Sequence, residues 1–263
     1  MYILQLILSF TILPFKINLL KIPKMRKTKI FLIDIGNSFC AFCELTDAGE
    51  FSKKNQIPTK NLTHECVQEF FSEALCYIAS VVPNKDALFK ALKSSQCIFI
   101  NHHIAMPLKV NLSSPEDVGA DRLMTALGAY HVSGCPALVI DSGTALTFCF
   151  VNQNGVYEGG AIFPGMRLCS WALNDQTAKL PLVWVETKES LYGKNTEDAI
   201  KAGLYHGFFG IIESMIKQYR QTYNDIVVVG TGSGLTVFKD KLSLDVLDDE
   251  LIFHGLKYIA LNY

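Results

Sequence analysis

The sequence of 263 residues lacks several features that mark particular classes of protein. Lys and Arg number 24 and Asp and Glu number 25, and this net charge of −1 predicts no broad basic face for binding nucleic acid. There is no zinc-ligand spacing and no signature of a Ser-His-Asp hydrolase. The G-x-G-x-x-G spacing is also absent, so a dinucleotide-binding fold is not supported.

The eight cysteines are too dispersed to form a disulfide scaffold in a chain of this length. We interpret them as buried thiols of a protein in a reducing compartment. Cys40 and Cys43 have the spacing of a metal or redox pair, but they lie within a predicted strand, where residues three apart point to opposite faces. Two ordinary strand cysteines are therefore the favoured interpretation.

The first 24 residues are apolar and differ in composition from the rest of the chain. They lack the positive charge and the small-residue cleavage site of a secretory signal, and Pro14 interrupts a run too short to span a bilayer. An upstream, mis-assigned start before Met25 is the preferred interpretation, and a membrane anchor is the alternative. We expect a cytoplasmic protein without a membrane partner.

One sequence pattern occurs twice in the chain. FLIDIGNSFCAFCELTDAG in the first half and LVIDSGTALTFCFVNQNG in the second share an apolar run, Asp-x-Gly, a second apolar run and a turn. Asp34 aligns with Asp141, and Gly36 aligns with Gly143. A duplicated strand–loop–strand unit predicts two lobes that face each other across a nucleotide cleft, as in a phosphoryl-transfer enzyme.

The remaining pattern predicts an α/β fold with mixed sheets flanked by helices. We expect an N-terminal lobe over residues 25–133 and a C-terminal lobe over 134–263, after the extension 1–24. Predicted strands lie at 30–34, 39–46, 77–82, 97–101, 137–141 and 225–229. Predicted helices lie at 84–93, 119–131 and 195–219, and predicted loops lie at 106–115 and 159–165.

The two Asp-x-Gly segments are the first candidate for chemistry. Phosphate needs backbone N–H groups that can approach it, which a glycine at the bend and small hydroxyls nearby would permit. One such segment is usually only a turn, but two at equivalent places in a repeat favour a functional site. Because converging carboxylates repel each other, Asp34 and Asp141 would need a cation between or near them, and Mg²⁺ delivered with ATP fits.

Two further segments have open interpretations. Asp121, in the sequence GADR, begins a predicted helix, and it is either a carboxylate near a helix N-terminus or a general base, with Arg122 binding an anion. The sequence GTGSG at 230–234 is either an ordinary strand–helix turn or a close approach for adenosine.

The order of the motifs resembles that of the type III pantothenate kinases, within the acetate/sugar kinase, heat-shock chaperone and actin superfamily. The resemblance covers about 29–262 and rests on LIDIGNS, ASVVP, VGADR, DSGTALT, GGAIFPG, TAKLP, the Asn195-Thr196 helix start and the closing HGL. It implies duplicated ribonuclease H-like lobes and ATP-dependent phosphorylation of pantothenate on its 4′-hydroxyl, the first step of coenzyme A biosynthesis. It also implies a homodimer with the acceptor pocket near the subunit interface.

The resemblance also implies roles for individual residues. Asp121 corresponds to the proton acceptor, and Asp141 to the ligand of a monovalent cation, K⁺ or NH₄⁺. Asp34 is a candidate for Mg²⁺ binding through water. The pantothenate contacts correspond to Gly119, Ala120, Asp121, Arg122 and Thr196, with Gly160 in a further wall of the pocket. The ATP contacts correspond to Asp34, Ile35, Gly36, Asn37, Ser38, Phe39, Cys40, Ala41 and Thr144.

Three departures from the family pattern leave alternatives open. Leu112 stands where an aromatic residue is frequent, GTGSG replaces the usual TGG form, and Ser142 replaces a larger apolar residue. A kinase for a different hydroxyl acceptor therefore remains an alternative, and so does a non-catalytic accessory regulator. A chaperone- or actin-like ATPase is disfavoured, because the chain is too short for the extra subdomains of those proteins.

Overall fold

The computed structural model describes residues 28–93, 95–187, 189–238 and 240–262. The apolar extension at 1–24 lies outside the described residues. Its interpretation as a mis-assigned start, or alternatively as a membrane anchor, therefore stays a prediction. Among the described residues, no helix combines the length and the apolar character that crossing a membrane requires.

The described chain forms two mixed β-sheets with helices packed against them. The strands are β1 Ile30–Ile35, β2 Phe39–Leu45, β3 Asn55–Pro58, β4 Leu75–Ser80, β5 Gln96–Phe99, β6 Lys109–Val110, β7 Ala137–Ser142, β8 Ala145–Val151, β9 Val156–Pro164, β10 Val227–Thr231 and β11 Val246–Leu247. The helices are α1 His64–Phe71, α2 Pro83–Lys90, α3 Ala120–Ser133, α4 Met166–Asp175, α5 Thr196–Thr222 and α6 Leu251–Asn262. Short 3₁₀ helices occur at Thr59–Asn61, Pro115–Asp117 and Ser233–Phe238.

The two sheets repeat one topology. The first has the strand order β3-β2-β1-β4-β5, and the second has β9-β8-β7-β10-β11 with β6 added beside β9. In each sheet the first three strands of the unit are antiparallel neighbours, while the fourth and fifth run parallel to the first. The repeat that the two short sequence patterns indicated therefore extends over five strands in each sheet. This confirms the predicted duplicated α/β fold.

Alternation along β1 and β2 divides the core between the two faces of the first sheet. Leu32 and Cys43 point toward the central core, which also contains α3 and α6, whereas Ile33 and Cys40 point toward the outer core beneath α1 and α2. Cys40 and Cys43 therefore face opposite sides of the sheet, as the strand interpretation predicted. All eight cysteines are free thiols; four are buried and four are half-buried.

Helices α3 and α6 cross in direct backbone contact between the sheets. A side chain at Gly128 would collide with the carbonyl of Leu251, and one at Gly255 would collide with the carbonyl of Met124. Only glycine allows this approach, and it brings α6 against the helix that begins with the GADR segment. The HGL motif therefore has a packing role in this fold.

The structure corrects two predicted loops. Residues 159–165 were predicted as a loop because of their glycines and proline, but most of them belong to β9, which pairs with β8. The predicted loop at 106–115 contains the short strand β6, which pairs in parallel with β9. Helix α4 follows β9 directly and was not predicted.

Candidate active site

The candidate site lies where the corresponding strands of the two sheets end. Asp34 lies near the end of β1, and Asp141 lies near the end of β7. The segment after β4 and the start of α3 also meet here, because Val81 lies within van der Waals reach of a side-chain position at Gly119. The sequence-predicted convergence of the two Asp-x-Gly segments is therefore consistent with the fold.

The first Asp-x-Gly segment forms a tight connection between β1 and β2. The N–H of Gly36 donates to the carbonyl of Phe39 at 3.0 Å, and the Gly36 carbonyl accepts from the Thr59 hydroxyl at 2.6 Å. Asn37 and Ser38 are exposed at the tip of this connection. Their backbone and side-chain donors are thus available to a ligand in the cleft.

The second segment repeats this arrangement between β7 and β8. The N–H of Gly143 donates to the carbonyl of Ala145 at 2.9 Å, and the carbonyl of Thr144 accepts from the N–H of Gly165 at 2.9 Å. The hydroxyls of Ser38 and Thr144 lie 2.8 Å apart and share a hydrogen bond. The tips of the two segments, 106 positions apart in sequence, therefore touch across the cleft.

The glycine-rich turn after β10 packs onto the second segment. Gly232 has φ of +89°, and a side chain there would collide with the carboxylate of Asp141 and the carbonyl of Ser142. A side chain at Gly234 would collide with the Ser142 hydroxyl. The small side chain of Ser142 and the glycines of the GTGSG turn thus allow close packing. This turn lies on the same side of the cleft as the second Asp-x-Gly segment.

Asp121 lies in the first turn of α3, and Gly119 is the N-cap residue of this helix. Its carboxylate oxygen Oδ1 accepts the N–H of Arg122 at 2.7 Å and folds back over Gly119, where a side chain would collide with it. Burial raises the pKa of Asp121, while the N–H and the charge of Arg122 lower it. Asp121 is therefore held in place, and its charge acts on the carboxylates of Asp34 and Asp141 at the two strand ends.

The carboxylates of the two strand ends have strongly raised pKa values. Burial first, and then the charges of Asp121 and Asp141, raise the pKa of Asp34 to about 8. Burial and the charge of Asp121 raise the pKa of Asp141 to about 7. The charge of Lys54 opposes both shifts. Three acidic groups from both lobes thus lie close enough to repel one another, which is the arrangement that a cation stabilises.

Beside Asp121, a polar cluster lies under β8 and β9. The Tyr157 hydroxyl donates to the Cys149 thiol at 3.3 Å within the core. The charge of Arg122 lowers the pKa of both groups, against the larger opposing effect of burial. The charge of Arg122 therefore acts on this cluster as well as on Asp121.

The wall formed by β9 includes Gly159 and Gly160. Gly159 has φ of +96°, and a side chain there would lie 3.0 Å from the Leu112 side chain. A side chain at Gly160 would collide with the carbonyl of Phe148 on the neighbouring strand. Leu112 thus packs on the β9 backbone, and Gly160 is required for strand pairing as well as being a candidate contact.

Of the nine predicted ATP-contact residues, Asp34 and Gly36 are half-buried, and the other seven fall into two groups. Asn37, Ser38, Phe39 and Thr144 are exposed, whereas Ile35, Cys40 and Ala41 have buried side chains that belong to the cores. The second group can reach a nucleotide only through backbone groups. The roles of all these residues remain predictions.

Thr196 is the first residue of α5, whose N-cap Asn195 accepts the N–H of Asp198 at 2.8 Å. Within the described part of the chain, no hydrogen bond or ion pair joins Thr196 to residues 119–122. The pantothenate contact of Thr196 therefore stays a prediction.

Sequence reasoning did not identify Lys54, whose charge acts on both strand-end carboxylates. It lies in the connection between β2 and β3, outside any motif, so only tertiary structure brings it to the cleft. No group of three His, Cys, Asp or Glu side chains among the described residues is arranged to hold a metal by itself. A metal here would need ligands from a nucleotide and from water.

Comparison with known sequences gives a consistent result. The sequence profile of the type III pantothenate kinase family matches residues 30–218. A type III pantothenate kinase of Persephonella marina is 37% identical over 195 residues, covering 68% of this chain and 76% of the relative. One from Methylacidiphilum infernorum is 30% identical over 238 residues, covering 88% of each chain.

Solved structures support the fold. A conserved putative Baf family transcriptional activator from Campylobacter jejuni superimposes with a TM-score of 0.60 at 22% identity, covering 88% of this chain and 98% of that one. A putative 2-dehydro-3-deoxygalactonokinase from Sinorhizobium meliloti gives a TM-score of 0.57 at 13% identity, covering 89% and 96%. At these identities the likeness concerns the fold alone.

Proposed function

Because the chain belongs to the type III pantothenate kinase family, we propose that it transfers the γ-phosphoryl group of ATP to the 4′-hydroxyl of pantothenate, the first step of coenzyme A biosynthesis. The observation that carries the proposal is the meeting of both Asp-x-Gly segments and Asp121 at one cleft. Phosphoryl transfer needs positioning and compensation of charge, and this cleft has groups suited to both tasks.

The nucleotide phosphates would lie between the two Asp-x-Gly segments. The hydroxyls of Ser38 and Thr144 lie 2.8 Å apart. A phosphate placed beside them could accept from the hydroxyl that is not donating, or from both once it replaces their shared hydrogen bond, and from nearby backbone N–H groups. The glycine-rich turn after β10 lies on the same side, and its lack of side chains leaves room for the nucleoside. The phosphates would then be bound by preorganised hydroxyl and backbone N–H groups.

Asp121 would accept the proton of the acceptor hydroxyl. The N–H of Arg122 holds its Oδ1 atom at 2.7 Å, which leaves the other carboxylate oxygen for the hydroxyl. In a loose transition state the proton moves late, so a strong base is not required. Arg122, Gly119, Ala120 and Gly160 would form the pantothenate pocket with Thr196.

The acidic cluster fits a cation in its chemistry. Repulsion and burial raise the pKa values of Asp34 and Asp141 to about 8 and about 7, and a bound cation would reverse these shifts by favouring the ionised forms. We propose that Asp34 holds Mg²⁺ through water and that Asp141 binds K⁺ or NH₄⁺. Such cations would supply compensation for the charge that develops on the transferred phosphoryl group.

We also propose a homodimer in the cytoplasm. Large apolar side chains are exposed on the end of β9, on α4 and on the segment after it, and they are Ile162, Phe163, Leu168, Trp171, Leu182, Trp184, Leu191 and Tyr192. The guanidinium of Arg167 on α4 lies 5.7 Å from the Trp184 ring and connects the last two regions. A second copy is the occupant expected from the family, and Trp171→Glu should yield a monomer in sedimentation analysis.

Phosphorylation of a different hydroxyl acceptor is the second candidate function. Position 112, where an aromatic residue is frequent in the family, is Leu112 in this chain, and its side chain packs on Gly159 in the wall of the proposed pocket. The decisive experiment measures ADP release with Mg²⁺ and ATP, with and without pantothenate, in potassium and then in sodium buffer. Pantothenate-dependent release that needs potassium would support acceptor, nucleotide and cation together. Release with another alcohol but not with pantothenate would replace the acceptor, and a folded protein without any release would favour an accessory regulator.

A further inference from the structure

Glu158 on β9 accepts hydrogen bonds from two asparagines that lie in different parts of the chain. Its Oε2 atom accepts from Nδ2 of Asn111 at 2.6 Å, and its Oε1 atom accepts from Nδ2 of Asn152 at 2.5 Å. Asn111 directly follows β6, and Asn152 begins the turn between β8 and β9. Hydrogen bonds to a carboxylate are stronger than those between neutral groups, so one side chain joins three segments. We call Glu158, Asn111 and Asn152 the Glu158 clamp.

Both asparagines are held by further bonds. The Oδ1 atom of Asn152 accepts the N–H of Asn154 at 2.8 Å and the N–H of Val156 at 3.2 Å. Its amide oxygen is therefore used within the turn, and its amide nitrogen is left to donate to the clamp. The backbone N–H of Asn111 donates to the carbonyl of Tyr157 at 2.9 Å, directly beside the clamp.

Glu158 is also the extra residue of a β-bulge in β9. Phe150 pairs with Gly159, and the next residue of β8, Val151, pairs with Tyr157. Gly159 has φ of +96°, a backbone conformation that residues with a side chain rarely adopt. Bulges bend a strand and are frequent beside active sites. This bulge sets the register of the part of β9 that forms the wall of the proposed pocket.

The segment that Asn111 begins leads directly to the GADR segment. Residues 112–118 separate Asn111 from Gly119, the N-cap residue of α3, and part of them forms a 3₁₀ helix. Leu112 packs on the bulge itself, because a side chain at Gly159 would lie 3.0 Å from the Leu112 side chain. The Glu158 clamp thus joins the β9 wall to the segment that enters the candidate site.

We infer that Glu158 is a positioning residue for the acceptor alcohol: through Asn111 it holds Leu112 and the segment before α3 against the β9 wall, so that the acceptor pocket is formed before substrate arrives. The inference rests on the proposed kinase function. Without the clamp, residues 111–118 take up further conformations, and apparent affinity for the acceptor falls with the fraction of molecules in which the pocket is formed. The proposed nucleotide groups lie on other segments, so affinity for ATP is retained.

The test uses the full chain and a designed exchange of hydrogen-bonding groups. In Glu158→Gln the side-chain oxygen can keep Asn111, but the new amide nitrogen faces the amide nitrogen of Asn152. Adding Asn152→Asp turns that donor into an acceptor and still provides an oxygen for the turn. Asn111→Ala breaks only the bond to the segment before α3. The controls are Glu116→Gln and Ser113→Ala, at exposed positions of the same segment.

Three measurements separate the acceptor from the nucleotide. Steady-state ADP release gives kcat and the KM values for pantothenate and for ATP. Calorimetric titration gives the affinity for Mg·ADP. Hydrogen exchange over residues 109–118 reports the clamp without any need for activity.

We expect Glu158→Gln and Asn111→Ala to raise KM for pantothenate about fivefold, with kcat, KM for ATP and Mg·ADP affinity within about twofold and faster exchange over 109–118. The double variant Glu158→Gln/Asn152→Asp should return KM for pantothenate to near the wild-type value, and both controls should match wild type. An unchanged KM for pantothenate in Asn111→Ala would overturn the inference. A rise that Asn152→Asp does not reverse would also overturn it, because the charge of Glu158 and not its bonds would then be responsible.

Failure of the inference is distinct from failure of the proposed function. A wild-type protein that phosphorylates pantothenate, with the same KM in Asn111→Ala, would remove the clamp and leave the activity intact. A wild-type protein that phosphorylates another alcohol would replace the acceptor, and KM for that alcohol would then decide the role of the clamp. A wild-type protein that phosphorylates no alcohol would overturn both.

Discussion

Replacing Asp121 with Asn tests whether its carboxylate is the proton acceptor. The substitution removes the charge and keeps the shape, and the amide oxygen can still accept the Arg122 N–H that now lies 2.7 Å from Oδ1. The first turn of α3 should therefore stay in place. Stability and helix position are not expected to explain a loss of activity.

The electrostatic consequences can be worked out from the neighbouring carboxylates. The charge of Asp121 raises the pKa of both Asp34 and Asp141, so removing it lets these two groups ionise more readily. Binding of Mg²⁺ and nucleotide should consequently be maintained or strengthened. The loss should appear in kcat and not in the affinity for ATP.

The expected magnitude follows from the kind of proton transfer. General bases contribute about 10²–10⁴-fold, and a proton that moves late in a loose transition state places this residue near the lower end. We expect kcat to fall about 100-fold, which corresponds to about 2.7 kcal/mol of transition-state stabilisation.

The assay is pantothenate-dependent ADP release at saturating ATP, with Mg·ADP affinity measured separately. The control is Asp117→Asn, which removes an exposed carboxylate four residues earlier on the short helix before α3. Turnover within fivefold of wild type in Asp121→Asn would refute the role of Asp121. A loss confined to KM for ATP would refute the electrostatic reasoning.

Three further predictions follow from the same geometry. In a double-mutant cycle on Mg·ADP affinity, Ser38→Ala and Thr144→Ala should show coupling of about 0.5–1.5 kcal/mol, because their hydroxyls share one hydrogen bond; additive effects would contradict contact between the loop tips. Gly255→Ala should lower the free energy of unfolding in urea by about 1–3 kcal/mol through collision with the α3 backbone, whereas Gly203→Ala, in open space on α5, should be neutral or stabilising. Because the folded-state pKa of Asp34 is about 8 and its ordinary value is 3.8, the nucleotide-free fold binds this proton more tightly than the unfolded chain does. Its stability should therefore fall as pH rises across that window and level off above it, and Asp34→Asn should flatten the profile of thermal unfolding against pH; an unchanged profile would contradict the assignment.

The local sequence was sufficient for features that are determined by neighbours along the chain. Continuous apolar runs predicted β1 and β7, and Asn195 with Asp198 three residues later predicted the start of α5, where the cap bond is present at 2.8 Å. The paired Asp-x-Gly segments were recognisable because each lies directly after a strand. Their meeting at one cleft required only that equivalent strands end at equivalent places.

Features that depend on distant partners were not accessible in this way. Gly159, Gly160 and Pro164 predicted a loop, but pairing with β8 holds them in β9, and a side chain at Gly160 would collide with the neighbouring strand. Gly255 within α6 carries a local cost that is explained only by the backbone of α3 across from it. Lys54 belongs to no motif, and only its contact with Asp249 reveals its position.

The sixth strand of the second sheet has a consequence for dissecting the chain. Strand β6, Lys109–Val110, precedes α3 in sequence, yet it pairs with β9, which lies after β7. It covers what would otherwise be an open edge of the duplicated five-stranded unit. A cut at the predicted boundary between 133 and 134 would leave one fragment with an unpaired strand and the other with an exposed edge. Two separately expressed halves should therefore associate with each other, and neither should behave as an independent module.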